Sequence, residues 1–259
     1  LKHFVQLPYI GYGKSLLSDV RLTKVISSPN GLECEIKIKD YIISLFSPLL
    51  GEYNGYNIAA AVAVGKEIFG LPHDVIQAGI SSLKYIPGRM ERIDFGQPFT
   101  AIVDFAHTPN ALKNALLAAR RFTKGRIIAI FGSAGLRDKE KRRLMAEVSA
   151  KHADITILTA EDPRTESLDD ILAEMADGAI SCGATEYKTF WRIPDRRQAI
   201  RFGVQMAQPG DTVMACGKGH EQSMCFGTTE YLWDDRTAMR AALGELLGIP
   251  TDPMPFLPT

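Results

Sequence analysis

"GRIIAIFGSAGLRDKEKRRLMAEVSAKHADITILTAEDPR" (125–164) decides how the larger part of this chain folds. An unbroken apolar run, IIAIF, meets a glycine-bounded loop. A charged segment with apolar residues at helical spacing follows, and then a second apolar run, ITIL. Short apolar runs without alternation are strands buried on both faces, as a parallel sheet covered by helices demands. The same order continues outward from this stretch. Before it come a strand, FTAIVDF (99–105), and a helix, PNALKNALLAARRF (109–122). After it come the helix SLDDILAEMADGA (167–179), the strand EYKTFW (186–191), the helix DRRQAIRFGVQMA (195–207) and the strand DTVMACG (211–217). A short edge strand, EYLW (230–233), and a last helix, DDRTAMRAALGELLG (234–248), complete it. Strand and helix recur at the spacing of βαβ units, which predicts an α/β domain with a mostly parallel sheet.

Residues 19–47 differ. RLTKVIS and LECEIKI flank SPNG, a hairpin signal, and YIISLFS supplies a third strand. Two helices follow, YNIAAAVAVGKEIFG (56–70) and LPHDVIQAGISSL (71–83), and KYIPGRMER (84–92) is expected to be an irregular connection. The boundary is placed near Gly88, giving regions 1–88 and 89–259. The chain opens on Leu1 rather than Met, and its first region is expected to be the end of a larger domain.

The charge balance, 30 Lys and Arg against 30 Asp and Glu, gives no electrostatic ground for a nucleic-acid partner or an acidic membrane surface. No run has the length of a membrane span, so membrane insertion is not expected. The four cysteines, Cys34, Cys182, Cys216 and Cys225, are widely spaced without a CxxC pair. That spacing argues against structural zinc or a disulfide framework and suits a cytoplasmic location.

Ligands of open α/β sheets bind beyond the carboxyl ends of the strands. Four chemically rich segments fall there: DFAHTPN (104–110), GSAGLRDKEKR (132–142), AEDPRTE (160–166) and GKGHEQ (217–222). In a parallel sheet all four open on one edge. GSAG lacks the GxGxxG spacing of a dinucleotide loop, and its glycines suit a tight turn with backbone N–H groups open to an anion. Arg137 can grip a carboxylate in a bidentate contact, whereas Lys139, Lys141, Arg142 and Arg143 are expected to form a solvated helix face. In EDPR, Glu161 and Asp162 can accept from an ammonium group, Arg164 can hold a carboxylate, and Pro163 stiffens the turn. The same letters also suit a helix-capping turn, with Ser167 and Asp170 in capping-box register. Glu221 adds an acid, and Gly217 and Gly219 permit close backbone approach. His220 stands without a second His or Cys at metal spacing, so no metal ligand is assigned.

GEYNGYNIAAA, PGRMERI, VDFAHTPNAL, IIAIFGSAGLRDKEKR, TAEDPRTE and ACGKGHEQ, in this order, resemble the C-terminal part of the Mur ligase family, in its tripeptide-synthetase branch. The resemblance covers nearly the whole chain. It implies the end of a central ATPase domain followed by a Rossmann-like C-terminal domain. It implies ATP-dependent addition of a diamino acid, meso-diaminopimelate, to UDP-MurNAc-L-Ala-D-Glu for peptidoglycan synthesis. In that chemistry ATP and Mg2+ activate a carboxylate as an acyl phosphate, which the incoming amine attacks. Carried over residue by residue, Asn54 and Asn57 match asparagines bordering the ATP site, Arg89 a nucleotide-reaching arginine, and Asp104 and His107 ribose and adenine contacts. Arg137, Arg164, Gly217 and Glu221 match the amino-acid pocket. Glu161 and Asp162 stand where diaminopimelate enzymes carry the first two residues of DNPR.

Two departures bear on that reading. Asp162 replaces the asparagine of DNPR, which leaves lysine or another diamino acid open as the acceptor. The family's GxxGK[TS] loop is matched only in its last four positions, by GYGKS (11–15). The main phosphate and metal site, and with it any catalytic residue, is therefore expected outside this sequence, and the chain alone is expected to be inactive. A non-catalytic substrate-binding module is the reading from another functional class, while an oxidoreductase lacks its fingerprint.

Overall fold

The computed structural model describes residues 8–258. The chain divides into two compact units, Leu1–Ile86 and Pro87–Thr259.

In the first unit a sheet of order β1-β2-β3-β4 is built from β1 (Tyr12–Gly13), β2 (Val20–Ser28), β3 (Gly31–Ile38) and β4 (Tyr41–Ser47). The pairs β2/β3 and β3/β4 are antiparallel, and Ser28 opposite Gly31 closes the SPNG turn. Alternate residues of β3 and β4 are buried, as a sheet with one covered face requires. The covering helices are α1 (Asn54–Ala63), extended by a π-helical turn at Val64–Ile68, and α2 (His73–Ser82). Ile58, Ala59 and Val62 of α1 and Ile76 of α2 join Leu22, Leu32, Ile36 and Ile43 in one core. GYGKS enters the short strand β1 and then a turn, not a helix.

The second unit holds a six-stranded sheet of order β5-β6-β10-β7-β8-β9. Its strands are β5 (Glu91–Ile93), β6 (Thr100–Asp104), β7 (Ile127–Phe131), β8 (Ile155–Leu158), β9 (Phe190–Arg192) and β10 (Thr212–Cys216). All neighbours are parallel except β5, which runs antiparallel to β6. Every residue of β7, β8 and β10 is buried, which explains their unbroken apolar runs. The helices are α3 (Pro109–Arg120), α4 (Glu140–His152), α5 (Leu168–Ser181), α6 (Arg196–Met206) and α7 (Asp235–Leu247). Helix α4 packs on α3 and α5, and α6 packs on α7. The side chains of Thr108, Ser167, Asp195 and Asp234 each accept a backbone N–H at a helix start.

Three local expectations change. The expected irregular connection at 84–92 ends in a strand, β5, because Glu91, Arg92 and Ile93 pair with Val103, Ile102 and Ala101. EYKTFW contributes only its last two residues to β9. The 230–233 segment is not an edge of the main sheet: β12 (Thr229–Leu232) pairs with β11 (Ser223–Phe226) in a separate hairpin.

Candidate functional site

Parallel register brings the polar loops of the second unit to one edge. Cys216 lies opposite Asp104, and the next residue, Gly217, donates its N–H to the Asp104 carbonyl at 3.1 Å. Beneath this edge Arg196, fully buried, pairs with Asp235 at 2.7 and 2.6 Å. The same guanidinium donates to the carbonyls of Ala160 and Cys216, at 3.1 and 2.8 Å. One buried cation thus ties together the residues that immediately precede Glu161 and Gly217.

Loops 132–138 and 161–166 lock into each other. Gly135 N–H donates to the Asp162 carbonyl at 2.9 Å, and Arg164 Nη1 donates to the Gly135 carbonyl at 2.8 Å. A Cβ on Gly135 would lie 2.0 Å from the Pro163 carbonyl oxygen, so only glycine permits this approach. Arg164 has φ 53° and exchanges backbone hydrogen bonds with Cys225 and Gly227 of the hairpin, at 3.1 and 2.8 Å. Arg142 is fully buried rather than part of a solvated face. Both its Nη atoms donate to Glu166, at 2.9 and 2.6 Å, and Nη1 also meets Glu174 at 3.0 Å. Two carboxylates drew this arginine inward, a cause that helical spacing does not reveal. The Arg142 pair and the Leu136 N–H hold the Glu166 carboxyl down at about 2. Lys139 also reaches Glu166, at 3.2 Å, from an exposed position. Arg137, next to Leu136, is exposed and forms no ion pair among the described residues.

The acids differ sharply. Glu161 is buried against Gly217, and its Oε2 has no hydrogen-bond partner among the described residues. A Cβ on Gly217, which has φ 110°, would lie 2.0 Å from that oxygen. Burial pushes the Glu161 carboxyl up to about 7, against the nearby cations Arg196, Lys141 and Lys218. Asp162, with φ 44°, accepts from Cys225 N–H at 2.9 Å and from Lys218 Nζ at 3.0 Å on each oxygen. Lys218 also meets Glu221 at 2.8 Å. Of the three acids expected at this edge, Asp162 and Glu221 therefore already share an ammonium of the chain itself, and Glu161 does not. Lys218, Glu166 and Arg196 are the members that the motifs left unassigned, and Arg142 is the one they placed on a solvated face. The lysine of GKGHEQ, between two glycines, was the available signal.

A second cluster sits beside Gly88 and Gly219. The Arg89 guanidinium lies 4.5 Å over the Phe105 ring, and the rings of His107 and His220 lie 4.5 and 4.8 Å from it. His107 Nδ1 is 2.9 Å from the Phe105 carbonyl oxygen. Phe105 is the hub of this group, and its bulk alone did not mark it. Asp104 accepts Met90 N–H at 2.7 Å and Ala106 N–H at 2.9 Å, while burial raises its carboxyl. Both its oxygens thus shape the backbone. The ring and guanidinium faces suit a planar base. Asn54 and Asn57 lie on α1 in the first unit: Asn54 Nδ2 donates to the Leu50 carbonyl at 2.7 Å, and Asn57 Nδ2 donates to Asn54 Oδ1 at 2.8 Å. Among the described residues, no group of three or more His, Cys, Asp or Glu side chains is gathered to hold a metal ion.

Residues 88–219, which contain all the loops of this edge up to GKG, match the family model "Mur ligase, glutamate ligase domain". The chain belongs to the Mur ligase family. Its relatives include the UDP-N-acetylmuramoyl-L-alanyl-D-glutamate–2,6-diaminopimelate ligase of Geobacter metallireducens, 39% identical over 250 residues, covering 92% of this chain and 49% of the relative. The UDP-N-acetylmuramyl-tripeptide synthetase of a Roseiflexus species is 42% identical over 229 residues, covering 88% of this chain and 45% of the relative. A solved UDP-N-acetylmuramoyl-L-alanyl-D-glutamate–2,6-diaminopimelate ligase superposes with a TM-score of 0.68 at 32% identity, over 92% of this chain and 48% of that one. The UDP-N-acetylmuramate–alanine ligase of Thermotoga maritima shares the fold at 17% identity, with a TM-score of 0.65 over 92% of this chain and 48% of that one. This Mur ligase chain spans about half the length of the curated relatives it matches. Among the described residues no helix is long and apolar enough to cross a membrane, and the four cysteines are free thiols.

Proposed function

We propose that this chain is the acceptor-binding and adenosine-binding part of an ATP-dependent amide-bond ligase. The ligase would add meso-diaminopimelate to UDP-MurNAc-L-Ala-D-Glu in peptidoglycan synthesis. One observation carries the reading. Two arginines and a partly exposed acid, Arg137, Arg164 and Glu221, stand on loops of one sheet edge, with Arg137 in no ion pair among the described residues. They complement the two charge types of a zwitterionic amino acid. The two relatives named for tripeptide or diaminopimelate ligation support the same substrate class.

In this reading residues 1–88 are the end of a central ATPase domain and 89–259 the amino-acid-binding domain. Arg137 and Arg164 hold carboxylate, and Glu221 receives an ammonium beside Gly217. Glu161 and Asp162 form the floor rather than the contact surface. Arg89 and His107 present flat faces to adenine, and Asp104 fixes the backbone between them. ATP, when bound, supplies the phosphoryl group that activates the carboxylate. The main Mg2+ site is proposed to lie outside this chain, so no step is assigned to it here. What this chain contributes is placement of the amine, which converts an encounter into an oriented approach. A cytoplasmic location follows from the free thiols and the nucleotide-linked substrates.

The test is calorimetric titration of the purified chain with meso-diaminopimelate, L-lysine and ATP. Binding of diaminopimelate that is lost in Arg164→Ala supports the reading. Binding of none of the three overturns it. The chain alone should not turn over ATP; substrate-dependent hydrolysis at an enzyme-like rate would overturn the assignment of phosphoryl transfer to other segments.

A further inference from the structure

Asp162, Lys218 and Glu221 form one short chain of charges. Lys218 Nζ lies 3.0 Å from both Asp162 oxygens and 2.8 Å from Glu221 Oε2. The lysine side chain is 2% exposed and Asp162 16%, while Glu221 is 43% exposed. The lysine bridges both acids; the inner one is enclosed by it, and the outer one, although paired, still faces solvent. The backbone fixes this order. Cys225 N–H holds Asp162 from one side, and Lys218 sits between two left-handed glycines, Gly217 and Gly219, with φ 110° and 51°. Glu161 is buried beneath this chain of charges and is not exposed to a ligand.

We propose that Lys218 is a specificity-determining residue, an internal ammonium that cancels Asp162 so that the site presents one acid, Glu221, alongside the arginines. The inference rests on the reading that this edge binds a diamino acid. One acid beside arginine complements an end group that carries both ammonium and carboxylate, as diaminopimelate has at each end. It does not complement a lone distal ammonium, as in lysine. Without Lys218 two acids would face the ligand, and a lone ammonium would gain. The asparagine-to-aspartate change in EDPR and the lysine of GKGHEQ then form a functional pair: the added acid is balanced within the chain and does not reach the acceptor.

The test is a charge series in the 259-residue chain: Lys218→Met, wild type and Asp162→Asn. Dissociation constants for L-lysine and meso-diaminopimelate are measured by calorimetry. Lys218→Met should shift the ratio toward lysine by about ten-fold, the scale of one charged hydrogen bond. Asp162→Asn should shift it the other way. Lys218→Arg, which keeps the charge, should leave the ratio unmoved even where both affinities fall. If Lys218→Met does not fold, the shift expected of Asp162→Asn set against the unmoved ratio of Lys218→Arg still decides the matter. A role in stability alone would weaken both acceptors equally, and a flat ratio across the series overturns the inference while leaving the ligase reading in place. A wild type that binds neither amino acid overturns both.

Discussion

The two ends of the 161–166 loop carry the same side chain in opposite electrostatic states. Glu161, at the strand end, is buried with one oxygen unpaired and titrates at about 7. Glu166, five residues on, is held by Arg142 and the Leu136 N–H and titrates at about 2. Burial without a partner disfavours charge, and a facing guanidinium favours it. The loop between them, with Asp162 and Arg164 both at positive φ, is therefore anchored by a floor that titrates near neutral pH and a firmly ionised rim.

The rim is the place to break this contrast most severely. Arg142→Met leaves Glu166 and Glu174 facing an apolar side chain. Removing one partner of a fully buried pair costs about 3–5 kcal/mol; Glu166 and Glu174 keep some solvent, and Glu166 keeps Lys139, so the loss should fall near the low end of that range. Urea unfolding at pH 7 should show that loss. A loss below about 1 kcal/mol would mean that the carboxylates turn to solvent, and that Arg142 does not hold the loop.

The floor gives a pH signature of defined sign. The Glu161 carboxyl is raised in the folded state, so its contribution is fully present below the ordinary carboxyl range, near 4.5, and is lost as pH rises through about 7. A shift of this size corresponds to about 3 kcal/mol. Glu161→Gln should remove that decline, so wild type and variant diverge between pH 5 and 8. Glu166 acts in the other direction: its contribution is present above about 4.5 and fades as pH falls toward 2. Wild-type stability that does not change between pH 5 and 8, matching Glu161→Gln, would show that Glu161 finds a partner or solvent in the folded protein.

The contrast also marks what the letters of the sequence carry. The apolar runs IIAIF, ITIL and TVMAC and the helix-starting Thr108, Ser167, Asp195 and Asp234 make the α/β class legible, because burial and capping are local. The edge that gathers the motif loops follows from parallel strands alone. The insertion of β10 between β6 and β7 is a long-range choice with no local signal. The same holds for charges: Arg142 reads as solvated because Glu166 lies 24 residues away, and Lys218 goes unassigned because Asp162 lies 56 residues away. The loops that meet at one sheet edge are legible in the sequence; which of their charges answer one another is not.

Arg164 belongs to the rim and also reads the ligand in the proposed function. One of its Nη atoms is engaged by the Gly135 carbonyl at 2.8 Å. Arg164→Ala should lower the diaminopimelate-to-lysine preference by about 10- to 150-fold, the equivalent of 1.5–3 kcal/mol for a charged hydrogen bond. Calorimetry with both amino acids measures it. Equal losses would assign Arg164 to loop support through Gly135.

The smallest effect is expected where rings rather than charges do the holding. His107 is fixed by the Phe105 carbonyl at 2.9 Å and lies 4.5 Å from the Phe105 ring, so it is already positioned before any ligand arrives. Arg89 covers Phe105 at 4.5 Å, and His220 sits on the same hub. Removing His107 takes away one face of a shared cluster, and its neighbours still offer flat surfaces. Stacking of a base on an aromatic side chain is worth about 1–3 kcal/mol, and His107→Ala should fall at the low end of that range. The variant should weaken ATP binding to the chain several-fold and leave diaminopimelate binding unchanged. Phe105→Ala should cost more, because Arg89, His107 and His220 all lose their support. The order of these two variants is the decisive measurement. If His107→Ala is the more damaging, the histidine makes a specific contact to the base that stacking does not describe. If neither variant alters ATP binding, the ring cluster belongs to the packing beside Gly88 and Gly219, and the nucleotide assignment falls with it.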